Sequence, residues 1–229
     1  MTTIGFANIA QAPQDDIVSS ILPFLPEDIR VVERGVLDGL TRSQIDALGP
    51  EEGKPGIASG LNDGDSVLLS HALIIPLMQE AVDKLVEEDG ADFVVILCGA
   101  DWSDICSRKL VINPGRLFPS IVSAFSWGSL LGVIKPSSSQ IVKEKKRYED
   151  LGVRAFATSA SPFIGADRLN AVRKAAEEIR DADCDIVWMS CVAMDQEMKA
   201  IVQQVTDKPV LLAHEVLALN IAALIGHEA

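Results

Sequence analysis

The sequence predicts an α/β fold of two pseudo-symmetric lobes, each a parallel sheet flanked by helices, with a ligand cleft between them. Two observations carry this. One local pattern occurs twice, as Asp92-Phe-Val-Val-Ile-Leu-Cys98-Gly-Ala100 and as Asp185-Ile-Val-Trp-Met-Ser-Cys191-Val-Ala193. Each copy follows a helix-like stretch (81–88 and 169–180), and an apolar run of this length after a helix reads as a buried parallel strand. Strand and helix signals also alternate along most of the chain, as a parallel sheet with crossover helices requires.

Taken in order, residues 3–7 read as a first strand, 17–25 as a helix interrupted by Pro23, and 29–34 as a second strand. Thr41-Arg-Ser-Gln44 matches the capping box, in which side chains satisfy the free N–H groups opening a helix, so 41–48 is a short helix. Residues 51–59, rich in Gly, Pro and charge, read as loop. Leu61-Asn-Asp-Gly64 is a tight turn, and it suggests a hairpin of 56–60 with 67–70. A helix over 76–88, a strand over 93–97 and a helix over 103–110 follow, and Asn113-Pro-Gly115 then breaks the chain.

The second half repeats the plan. Its strand over 130–135 resembles the first one, Leu131-Gly132-Val133 against Ile4-Gly5-Phe6. Ser137-Ser-Ser-Gln140 is a second capping-box match, opening a helix to about 150. Then come a strand at 154–158, a helix at 167–180, a strand at 186–190, a helix at 196–204, a strand at 209–212 and a helix at 215–226.

Composition narrows the function. A chain of 229 residues is long enough for one large domain or two small lobes with a real core. Net charge is −13, and the basic run 143–147 reads as an exposed helix face, so nucleic acid and anionic membranes are disfavoured partners. No stretch approaches the ~20 apolar residues of a membrane span, and Met1-Thr-Thr-Ile does not open a signal peptide. Cys98, Cys106, Cys184 and Cys191 form no C-x-x-C pair, and His71, His214 and His227 lack metal-ligand spacing. The expectation is a cytoplasmic protein with reduced thiols, no metal and no cofactor. Homodimer formation is left open.

Four separate motifs, Leu37-Asp-Gly-Leu-Thr-Arg, Leu61-Asn-Asp-Gly64, Pro114-Gly-Arg116-Leu-Phe-Pro119 and Gly132-Val-Ile-Lys-Pro136, together resemble the AroM family from the first strand to the last helix. That family in turn resembles the aspartate/glutamate/hydantoin racemase superfamily. The resemblance implies two pseudo-symmetric α/β lobes, with the C-terminal strand and helix returning to the first. The implied division is 1–112 plus 208–229 for one lobe and 113–207 for the other.

In open α/β sheets ligands bind at the C-terminal strand ends, where Cys98 and Cys191 both fall. In cofactor-independent racemases, to which the resemblance points, a thiolate removes the proton α to a carboxylate and a thiol on the opposite face returns one. Such a pair must be held in opposite protonation states. The small residues after each thiol, Gly99 and Ala100, Val192 and Ala193, let backbone N–H groups approach an anionic substrate. By the superfamily's layout, the loops after the first strand of each lobe, with Asn8 and Gln11, Ser137 and Ser138, bind the carboxylate.

Arg116 suits a carboxylate or a structural ion pair, and His214 an acid/base role or a helix start. Each candidate has a plainer role as well: a free cysteine packs as a small hydrophobe, and Ser137 caps a helix. Cys106, Cys184, Asp92 and Asp185 are expected to be structural. Three readings stay open: a two-cysteine racemase or epimerase of a small carboxylate, a single-cysteine decarboxylase or cis-trans isomerase, and a non-catalytic small-molecule binding protein.

Overall fold

The structure, a computed structural model, describes residues 1–163 and 167–226. His227 lies outside the described residues. Two compact units divide the chain: Met1–Arg116 with Leu217–Ala229, and Leu117–Val216.

The first unit holds the parallel sheet β2-β1-β5-β6, built from β1 (Thr3–Asn8), β2 (Arg30–Gly35), β5 (Phe93–Ile96) and β6 (Leu110–Ile112). Helices α1 (Asp15–Ile21), α2 (Arg42–Asp46) and α3 (His71–Glu87) lie along its connections, as does the antiparallel hairpin β3 (Ile57–Gly60) with β4 (Ser66–Leu69). The apolar side chains of α3, among them Ile74, Met78 and Val82, pack with Ala7, Val94 and Ile96 of the sheet. The capping box at Thr41 forms, with both reciprocal hydrogen bonds present. Gly64 takes its turn at φ +88°.

The second unit holds β7 (Leu130–Lys135), β8 (Arg154–Ser159), β9 (Ile186–Met189) and β10 (Val210–Leu212), again all parallel, in the order β10-β9-β7-β8. α5 (Ile141–Glu149), α6 (Arg168–Asp181) and α7 (Gln196–Thr206) accompany it, while α8 (Ala213–Ile225) starts in this unit and from Leu217 belongs to the first. The first sheet read from β2 and the second read from β8 therefore have the same order.

Residue-level equivalence follows the same rule. Ile4–Ala7 pair with Phe93–Ile96 in register, as Leu131–Ile134 pair with Ile186–Met189. Asp92 and Asp185 close the N-terminal strand ends, each carboxylate accepting the backbone N–H of the neighbouring first strand, Thr3 at 2.9 Å and Leu130 at 2.7 Å. Gly5 and Gly132 allow a helix to approach the central strand. A Cβ on Gly5 would lie 3.2 Å from Leu85 Cβ, and one on Gly132 would lie 2.8 Å from Ile179 Cγ2.

Four expectations are corrected. Residues 103–110 are not a helix: the Asp101 carboxylate accepts the Ser103 N–H and hydroxyl, a side-chain competition that favours a turn, and β6 begins at Leu110. Asn113-Pro-Gly115 does not break the chain but opens α4 (Pro114–Phe125), with proline at the first helical position, where its missing N–H costs nothing. At Ser137 the hydroxyl accepts from Ser139 N–H, so the chain enters a 3-10 turn, Ser138–Gln140, before α5 rather than the expected capping box. The strand expected to return to the first lobe pairs instead with β9, Val210 opposite Val187, which puts β10 in the second sheet. In addition, α3 begins at His71, so Pro76 lies inside the helix, just past its first turn.

Candidate active site

In each sheet the chain turns to opposite sides after its first strand, making a switch point between β1 and β5 and another between β7 and β9. Cys98 lies two residues beyond the end of β5, and Cys191 two beyond the end of β9. Leu97 N–H donates to Ala7 C=O at 2.8 Å, and Ser190 N–H to Ile134 C=O at 3.1 Å. The two thiols thus leave equivalent strands from equivalent anchors.

Their surroundings differ. Cys98 is 6% exposed and belongs to the core of its unit. Its carbonyl accepts the indole N–H of buried Trp102 at 3.3 Å. Trp102 N–H donates to Asn113 Oδ1 at 3.2 Å, and Asn113 Nδ2 donates to Asp101 at 3.0 Å. A Cβ on Gly115 would overlap the Ala100 carbonyl. The Pro114-Gly-Arg116 motif therefore clamps the loop that carries Gly99 and Ala100. Arg116 is well exposed and reaches Asp101 at 3.9 Å and Ser103 Oγ at 3.5 Å, contacts within its own loop system.

Cys191 is half-buried. Desolvation pushes its thiol up, opposed by the N–H groups of Ala193 and Met194 and by the charge of Lys135. The loop is tight, with Met194 N–H donating to Cys191 C=O at 3.1 Å. Asp195 then caps α7, accepting Met198 N–H at 2.9 Å. Val192 is buried, and Ala193 half-buried.

The loops after the first strands are held from outside. Asp38, in the Leu37-Asp-Gly motif, accepts the Ala12 N–H at 2.7 Å and the Gly35 N–H at 2.8 Å. Gln11 Oε1 accepts the Asn62 N–H at 3.1 Å, and Ser59 Oγ donates to Ile9 C=O at 3.1 Å, so the hairpin braces this loop. Asn8 is 2% exposed; its Oδ1 accepts Ala10 N–H at 3.0 Å, while its Nδ2 is buried without a hydrogen-bond partner. Ser137 shares a hydrogen bond with Ser139 at 2.9 Å, and Ser138 is exposed.

His214 stands in the first turn of α8, 1% exposed, with Nδ1 3.0 Å from Met194 C=O and Nε2 buried without a partner. Burial lowers its pKa, against the pull of the Met194 carbonyl and Glu215. A carbonyl only accepts, so the Nδ1 contact requires a proton on Nδ1.

Sequence reasoning missed Lys135. It is 8% exposed at the end of β7 and pairs with Glu144 of α5 at 3.4 Å. Its signal was present: a cation closing a buried apolar strand, aligned with Asn8 through the repeated glycine. Cys184 is buried against Gly132, its thiol pushed up to about 11 by burial and by Asp185 and Asp183. Cys106 is exposed, and its backbone pairs with the Gln79 side chain. Among the described residues, no group of three or more His, Cys, Asp or Glu side chains could hold a metal ion, and no helix is long and apolar enough to cross a membrane.

A family model described as AroM protein matches residues 4–225. The chain belongs to the AroM family. No curated protein matches the sequence. Among solved structures, the AroM-family chain resembles the glutamate racemase of Francisella tularensis (TM-score 0.62, 13% identity, covering 98% of this chain and 81% of that one). It also resembles the aspartate racemase of Picrophilus torridus (TM-score 0.60, 14% identity, 100% and 96%) and an arylmalonate decarboxylase (TM-score 0.57, 14% identity, 100% and 94%). At these identities the likeness is one of fold: an Asp/Glu racemase-like arrangement of two parallel four-stranded sheets flanked by helices.

Proposed function

We propose that this AroM-family protein is a cofactor-independent isomerase, a racemase or epimerase of a small carboxylate, with Cys98 and Cys191 as its acid/base pair. The observation that carries the reading is the equivalence of the two thiols at the switch points of two sheets of one topology. In the reaction one sulfur, as thiolate, takes the α-proton and becomes a thiol; the other thiol delivers its proton to the opposite face and becomes the thiolate. The N–H groups of Ala193 and Met194 favour negative charge at Cys191, the kind of fixed dipole that stabilises charge developing in a transition state. Similarity of fold to glutamate and aspartate racemases supports the superfamily reading.

The test is a panel of amino and hydroxy acids incubated with the protein in D2O, with α-deuterium read by NMR. Exchange that falls by at least ~100-fold in both Cys98→Ala and Cys191→Ala upholds the pair; exchange untouched by both sinks it. A second reading, a decarboxylase with one protonating thiol, is favoured by the asymmetry between buried Cys98 and half-buried Cys191. It requires Cys191→Ala alone to abolish turnover of an α-carboxylated substrate, with solvent deuterium in the product.

A further inference from the structure

We propose that Trp102 is the positioning residue for Cys98, its indole fixing the backbone from which the thiol projects. This rests on the reading of Cys98 as a reacting thiol. A buried carbonyl needs a donor, and the two cysteine loops find theirs differently. In the second unit, Cys191 C=O accepts Met194 N–H at 3.1 Å, a bond that the backbone makes with itself. In the first unit, Cys98 C=O accepts the indole Nε1–H of Trp102, four residues on, at 3.3 Å. The backbone N–H of Trp102 is used elsewhere, donating to Asn113 Oδ1 at 3.2 Å. The Cys98 turn therefore draws on a side chain where the Cys191 turn draws on backbone.

The indole is itself held in place. Trp102 is 2% exposed and belongs to the core formed with Ile74 and Met78 of α3. Its ring meets His71, the first residue of α3, edge to face, with centroids 4.8 Å apart and planes at 70°. Gly115 packs so closely on the loop between the two residues that a Cβ there would overlap the Ala100 carbonyl. A side chain locked by such packing presents its N–H at one place. Positioning at this level matters for proton transfer, since a misplacement of about 1 Å can cost roughly 100-fold in rate.

The experiment is iodoacetamide alkylation of Cys98 at fixed pH, quantified on its own peptide by mass spectrometry, beside α-deuterium exchange of the amino and hydroxy acid panel in D2O. Trp102→Phe keeps an aromatic ring and deletes the donor. Cys98 should then be alkylated roughly 10-fold faster or more. The saturated exchange rate should fall at least ~10-fold, with the half-saturating concentration within about 3-fold of the parent. Ile4→Val is the control, a loss of packing at a residue buried in β1 but outside that core. It should leave Cys98 alkylation within about 2-fold and exchange unchanged. His71→Leu, which removes the ring behind the indole and leaves its N–H, should speed alkylation about 3-fold or more; it decides the matter where Trp102→Phe fails to fold.

Alkylation no faster in the folded variant than in Ile4→Val overturns the proposal, and so does an unchanged saturated exchange rate in Trp102→Phe. Faster alkylation in a protein whose parent catalyses no exchange upholds the hold of Trp102 on Cys98 and defeats the isomerase reading alone.

Discussion

Asn8 and Lys135 occupy the same position in two sheets of the same topology, and one is a half-satisfied amide while the other is an ion-paired ammonium. Asn8 keeps a buried donor unpaired, a state that usually costs about 1–3 kcal/mol. Lys135 is a charge almost wholly removed from water. Both are expensive residues for a strand end that an apolar side chain would fill at no such cost.

The ion pair of Lys135 with Glu144 gives the first prediction. Removing one partner of a buried pair leaves the other uncompensated, which typically costs 3–5 kcal/mol. Lys135→Met alone should therefore destabilise the protein by about 3 kcal/mol, less whatever Arg147 recovers by remaining with Glu144. The double variant Lys135→Met/Glu144→Leu should regain at least half of that loss. Urea denaturation of the four corners of the cycle measures it, and strict additivity would contradict the coupling.

His214 gives the second. Its pKa is lowered in the folded protein, chiefly by burial, and an unfolded histidine titrates near ~6.5. The unfolded chain therefore binds the proton first as pH falls. Stability is intact above about 6.5 and declines from there toward the lower folded value. His214→Gln should flatten the pH 4–7 part of the stability curve relative to the parent. Parallel curves would mean that the buried ring carries no such penalty.

Cys184 gives the third, with the opposite pH window. Its thiol is pushed from 9.0 to about 11, first by burial. Between those values the unfolded chain has lost a proton that the folded one keeps, so stability falls as pH rises through 9 and levels off past 11. That interval corresponds to on the order of 2–3 kcal/mol. The quantity to measure is the difference between parent and Cys184→Ala from pH 8 to 11, which isolates this thiol and should shrink steadily as pH rises.

How much of this was legible in the sequence depends on what fixed each element. The strands of the repeat were readable because Phe93–Ile96 and Ile186–Met189 are buried almost throughout, and buried strands are apolar on both faces. Segment 103–110 was not, because its conformation is set by contacts of Asp101 with Ser103 and Asn113, not by the period of its own residues. The placement of β10 was not readable either: an apolar triplet fits any sheet interior, and only its register with Val187–Met189 assigns it. The switch-point thiols were legible as a repeated pattern. Lys135 was harder to read, since a lysine ending a strand usually points to water and only the structure shows this one buried.

The last prediction concerns the clamp on the Cys98 loop. Gly115 has no positive φ to require glycine; what requires it is contact, since a Cβ there would strike the backbone of Ala100 and Asp101. Backbone cannot swing aside as a long side chain can, so Gly115→Ala should cost about 1–3 kcal/mol and push residues 98–101 away from α4. Cys98, buried in the parent, should then be alkylated at least ~10-fold faster, as expected when local opening becomes easier by more than about 1.4 kcal/mol. Gly128→Ala is the matching control. Gly128 has φ +78° and open space around its Cα, so alanine there is destabilised by about 1 kcal/mol through backbone strain alone. It should lower the denaturation midpoint while leaving Cys98 labelling at the parent rate. Equal labelling in both variants would show that the loop carrying Cys98 is positioned by something other than its packing on Gly115.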